Sequence, residues 1–149
     1  MSAPDVSELL QMSRQELDLL FMESPSGPIP NGVGDGTAIF FGCRLFNGQI
    51  AELVKLIAWQ GKTFHAQRRF LTNRILPWGV NAIVAQIYKG ASWLDQKECI
   101  VLDYSKTFVA QWIRDEIRQI SPGRYLGLVY VGQQHLMDFY LEFPRKAAK

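Results

Sequence analysis

The stretch that most constrains this chain is Glu98–Phe143, which reads as four strands in succession. Apolar, β-branched and aromatic residues fill Cys99–Tyr104, Trp112–Ile117, Tyr125–Val131 and Leu136–Phe143. Turn formers stand between them: Ser105-Lys106-Thr107, Ser121-Pro122-Gly123 and Gly132-Gln133-Gln134. Connections this short favour antiparallel neighbours, so the stretch predicts a meander. One segment has a competing reading. In Phe108–Ile120, the residues Val109, Trp112, Ile113, Ile117 and Ile120 also recur near helical spacing. The strand reading is preferred because Ser121-Pro122-Gly123 joins the segment tightly to the extended run that follows.

Upstream, Ser13 and Glu16 have the spacing of a capping box, and Leu17, Leu20 and Phe21 continue an apolar stripe. They predict a short helix over Ser13–Met22, with Leu9 and Leu10 as an earlier turn. Glu23–Gly36 carries three prolines and four glycines, which predicts an irregular loop leading into a strand at Thr37–Phe41. Its Gly32, Gly34 and Gly36 do not read as a phosphate cradle, because a dinucleotide loop follows a strand and opens a helix. Asn47–Leu56 has helical spacing behind a capping asparagine. Ala58–Phe64 reads as a strand containing Gly61, and Gln67–Arg74, with Arg68, Arg69 and Arg74, as a solvated connection. Val80–Tyr88 is apolar on both faces, so it is either covered on both sides or lines an apolar cavity. Gly90–Lys97 reads as a hairpin connection.

The chain has 149 residues, a length that fits one domain burying roughly 68–70% of its unfolded surface. Residues 1–12 and 144–149 are expected to be flexible. Sixteen basic against fourteen acidic residues give a net charge of +2, too small to imply nucleic acid as a partner. Cys43 and Cys99 have no metal-ligand or redox spacing and read as free thiols. The N-terminus lacks the basic and apolar regions of a signal peptide. Ile75–Tyr88, the longest charge-free run in the second half, is broken by Pro77 and Gly79 and too short to span a bilayer. A cytoplasmic protein is the expectation.

Trp59-x-Gly61-Lys62-x-Phe64, the glycine-rich Gly32–Gly36, and the order Asp103-Tyr104, Ile113–Arg118, Tyr125-Leu126-Gly127 and Phe139–Phe143 together resemble a group of uncharacterised small bacterial proteins related to the GXWXG-type domains. Gly34 stands where that pattern has tryptophan. The resemblance implies a mainly β fold, a lipocalin-like antiparallel barrel with one or two short helices near the N-terminus. It implies no particular reaction.

The charged strand poses the main chemical question. Alternation places Arg114, Glu116 and Arg118 on one face with Trp112, and Asp115 on the other with Ile113 and Ile117. If Asp115 points inward, it is a carboxylate in an apolar lining whose proton affinity rises by desolvation, suited to acid–base work. If the triplet points inward, it forms a cross-strand ion network. Asp103 and Asp138 raise the same question, since aspartate is depleted in strands. Neither His65 nor His135 has a metal-ligand neighbour at suitable spacing, so no metal is expected, and His135 is placed at the surface. A triad of Ser105, His135 and Asp138 lacks the glycines of a nucleophile elbow.

Three functions follow. A carrier or sensor would bind a small apolar or amphipathic molecule against Trp59, Tyr88, Tyr104, Trp112, Tyr125, Tyr130 and Tyr140, with Arg114, Glu116 and Arg118 as polar contacts. An isomerase, cyclase or dehydratase would use Asp115 or Asp103 as acid or base, with Arg114 or Arg118 holding an anionic group. The third is a homodimeric interaction module without ligand. None requires a cofactor.

Overall fold

The computed structural model describes residues 2–39, 62–75, 80–107 and 110–144. Eight strands close into an antiparallel barrel whose spatial order follows the chain. They are β1 (Gly32–Ile39), β2 (Lys62–His65), β3 (Phe70–Ile75), β4 (Val80–Ala91), β5 (Glu98–Asp103), β6 (Ile113–Ser121), β7 (Arg124–Val131) and β8 (Gln134–Glu142). Closure comes from β1 pairing with β8, from Asp35 opposite Glu142 to Ile39 opposite Asp138. The C-terminal meander is therefore β5 to β8. Of the segment with two readings, the part from Ile113 onward is the strand β6, held by ladders to β5 and β7 that a helix would forfeit, while Phe108 and Val109 lie outside the described residues.

Two short helices precede the barrel: α1 (Val6–Gln11) and α2 (Arg14–Glu23). Asp5 caps α1 by accepting from the Glu8 N–H at 2.8 Å. The capping box of α2 forms as the spacing predicts: Ser13 Oγ accepts from the Glu16 N–H at 3.1 Å, and Glu16 accepts from the Ser13 N–H at 2.7 Å. Both helices lie on the outside of the barrel, where Leu9, Leu17 and Phe21 pack with Val101, Leu128 and Tyr130. Burying each such side chain contributes roughly 1.5–3 kcal/mol. The second core is the barrel interior, where Phe64, Leu71, Ile87, Leu102, Ile117 and Phe139 meet. No helix among the described residues is long and apolar enough to cross a membrane.

Two expectations are corrected. Glu23–Gly36 is not irregular throughout, since β1 begins at Gly32 and is laddered to β2 on one side and β8 on the other. The glycine is there for space: a Cβ on Gly34 would lie 2.6 Å from the Phe143 ring. Gln67–Arg74 is not a solvated connection either, because Phe70–Ile75 is a strand laddered to β2 and β4. The turn before it puts Arg69 at φ 56°. The helix expected over Asn47–Leu56, the strand residues Ala58–Gly61, and Cys43, Trp59 and Trp78 lie outside the described residues.

Candidate functional site

Strand alternation decides which charges enter the barrel. On β2, Lys62 and Phe64 point inward; on β6, Asp115 stands between the inward Ile113 and Ile117. Tyr104 follows the end of β5, where the Thr107 N–H to Tyr104 carbonyl bond of 2.9 Å turns the chain, and its ring also lies in the interior. In an eight-stranded ring, β2 and β6 are four strands apart in either direction. Lys62 and Asp115 therefore approach from opposite walls.

They meet inside. Lys62 Nζ lies 3.3 Å from Asp115 Oδ2, with neither side chain exposed. The same ammonium donates to the Tyr104 hydroxyl at 2.8 Å and stands 5.4 Å from the centroids of the Tyr104 and Phe139 rings. Burial raises the Asp115 pKa, and attraction to Lys62 works against that rise. Hydrogen bonding from Lys62 and from the Tyr104 hydroxyl also favours the charged form of the Asp115 carboxylate. Burial lowers the Lys62 pKa, and Asp115 works against that fall. Both shifts favour passing the proton from amine to carboxylate, and the pair has no net charge in either form.

Arg114, Glu116 and Arg118 face outward, yet they are covered by the β4–β5 turn and α2. Glu116 accepts from Ser92 Oγ at 2.6 Å, the Trp93 N–H at 2.9 Å and Arg114 Nε at 3.0 Å. Arg118 donates to both Asp95 oxygens at 2.7 Å and to the Phe21 carbonyl at 3.0 Å, with its guanidinium 4.5 Å from the Phe21 ring centroid. These bonds fasten the helix and the turn to the barrel wall. Asp103 is also outside, accepting from the Tyr88 hydroxyl at 2.9 Å and the Ser105 N–H at 2.8 Å. Tyr130 and Tyr140 belong to the outer core, and the Tyr140 hydroxyl accepts from Arg124 at 2.7 Å. Trp112 is 47% exposed and lines a surface depression of about 380 Å³ with Trp93, Asp103 and Arg114. Tyr125 faces the interior, and its hydroxyl donates to the Pro28 carbonyl at 2.6 Å. Of the residues singled out in the sequence, the interior thus brings together Asp115, Tyr104 and Tyr125. Lys62, the partner of Asp115, carries no local signal, because it lies far away along the chain.

A second charged cluster sits under α2. His135, expected at the surface, has a side chain only 7% exposed; its Nε2 lies 2.5 Å from Asp138 Oδ1 and its Nδ1 3.9 Å from Asp18 Oδ1. Residues three apart on a regular strand face opposite ways. Here Met137 pairs with Val129 and His135 with Tyr130, so Leu136 is an extra residue and the resulting bulge turns His135 and Asp138 to one side. Burial pushes the Asp138 carboxyl up to about 6, with His135 pulling the other way.

No known protein family matches the chain, and no curated protein matches it. The crystal structure of a protein from Thermomonospora curvata is similar to it, with a TM-score of 0.63 and 19% identity over 90% of this chain and 89% of that one. At that identity the likeness shows the fold alone.

Proposed function

We propose that the barrel is a lipocalin-like carrier or sensor whose interior receives one small, mostly apolar molecule with a neutral polar group directed at Lys62, Tyr104 and Asp115. The observation that carries this reading is the fully buried ion pair drawn from opposite walls into an interior lined, among the described residues, mainly by apolar and aromatic side chains. Eight-stranded barrels have interiors just wide enough to be filled by side chains or to hold one small ligand. A buried ion pair is poor value for stability alone, since desolvating two charges costs several kcal/mol for each ion. Asp115 already neutralises Lys62, so an anionic head group would leave an uncompensated charge unless it brought a proton with it. A hydroxyl or carbonyl group adds no charge. Titration with N-phenyl-1-naphthylamine, a neutral apolar fluorophore, tests the reading. Enhanced emission that decanol reverses is expected, and emission unchanged by the protein contradicts it.

The raised proton affinity of Asp115 also favours an acid–base enzyme working on the same bound molecule. In that case Asp115→Asn removes turnover of a bound substrate while the fluorophore still binds.

A further inference from the structure

We infer that Lys62 forms a reversible imine with an apolar aldehyde held in the barrel, and that Asp115 carries the protons and then serves as counter-ion to the protonated imine. The inference rests on the ligand-binding reading above and names the chemical class of ligand. Three features of the interior lead to it.

The first is the position of the amine. Lys62 Nζ lies inside the barrel among the Tyr104 and Phe139 rings, with no side-chain surface open to solvent. Carbonyl condensation needs a neutral amine and is reversed by water, so a dry apolar site favours it on both counts. Burial lowers the proton affinity of Lys62, in keeping with that need.

The second is the proton carrier. Asp115 Oδ2 is 3.3 Å from the amine, and its carboxylate is wholly buried beside it, within hydrogen-bonding influence of Lys62 and Tyr104. With the proton on Asp115, the Lys62 nitrogen attacks the carbonyl carbon, and Asp115 protonates the oxygen to give a carbinolamine. The N–H proton lost from nitrogen returns to Asp115. That same proton then goes to the departing hydroxyl, which leaves as water while the nitrogen lone pair forms the C=N bond. One aldehyde and one amine become one imine and one water, and nothing is oxidised or reduced.

The third is charge. A protonated imine beside the Asp115 carboxylate has the same net charge as the Lys62–Asp115 pair it replaces. Condensation therefore puts no unbalanced charge into the interior, whereas a bound carboxylate without its proton would. The Tyr104 hydroxyl, 2.8 Å from Nζ, is placed to hydrogen-bond the carbinolamine oxygen.

The experiment is reductive trapping of full-length protein with decanal and cyanoborohydride near pH 6, where exposed lysines with pKa about 10.4 are almost wholly protonated. Peptide mass mapping then locates the adduct, and decanal displacement of N-phenyl-1-naphthylamine is followed in parallel. The expected result is an adduct on Lys62, resolved in the peptide map from any at the more acidic α-amino group, and lost in Lys62→Arg. In the Lys62→Met/Asp115→Leu double variant, which removes both members of the interior pair, no adduct should form at position 62 while circular dichroism shows the barrel still folded. Displacement by decanal with no adduct at Lys62, or adducts only on exposed lysines such as Lys89 and Lys97, overturns the imine and leaves the ligand-binding reading standing. A protein that binds neither fluorophore nor decanal overturns both.

Discussion

Lys62 and Asp115 reach across the barrel from β2 and β6 to stand 3.3 Å apart, and neither side chain has any exposed surface. Removing one partner strands the other in a low-dielectric interior, so Lys62→Met and Asp115→Leu should each cost about 3–5 kcal/mol. The double variant should unfold at a urea concentration close to that of the wild type. Additive losses would show that the two groups do not act as a pair.

Asp138 makes stability depend on pH. Its carboxyl is pushed up to about 6 in the folded chain from 3.8, so the folded state holds the proton more tightly. The stabilisation this site supplies is full below the lower value and lost as pH rises through the higher one. A gap of about two pH units corresponds to roughly 3 kcal/mol. Asp138→Asn should therefore gain stability relative to the wild type between pH 4 and 7, by up to about that amount. A difference that stays flat across the range would exclude the effect.

Arg118 binds both oxygens of Asp95 and the last turn of α2 through the Phe21 carbonyl. Its side chain is 1% exposed, so Arg118→Met leaves Asp95 with only the Lys97 N–H, 3.0 Å from its Oδ1, and frees the helix. A loss of about 3–5 kcal/mol is expected, with faster amide exchange in α2 than in β7. Uniform exchange changes throughout the barrel would show that Arg118 supports more than the helix.

Gly127 is required by its neighbour across the ladder. A Cβ there would lie 2.2 Å from the Phe139 ring, and the strand pairing holds the two residues opposite each other. Gly127→Ala should cost about 1–3 kcal/mol by overpacking. Adding Phe139→Leu should recover much of it, as thermal unfolding would show. No recovery would place the cost in the strand backbone instead.

What the sequence disclosed follows from the range of each interaction. The capping box of Ser13 and Glu16 and the alternation of Ile113, Asp115 and Ile117 act within a few residues, so both were legible. That Asp115 points inward could not be read locally, because both faces of β6 are buried and only closure of the ring assigns inside and outside. Lys62, within the Trp59–Phe64 run, carries no local mark of its place inside for the same reason. Arg114, Glu116 and Arg118 read as ligand contacts because the covering β4–β5 turn is not encoded near them. The glycines of β1 suggest a loop, and for Gly34 only the Phe143 ring against it explains a glycine within a strand. His135 reads as a surface residue because only the bulge turns it inward beside Asp138.

The central claim is that a neutral molecule occupies the barrel beside Lys62, and carbon-13 NMR of protein labelled in its lysines tests it most directly. On titration with decanol, the Lys62 side-chain resonances should shift in a saturable way, while those of the exposed Lys89, Lys97 and Lys106 stay fixed. Lys62 resonances that remain unmoved at saturating decanol would contradict it.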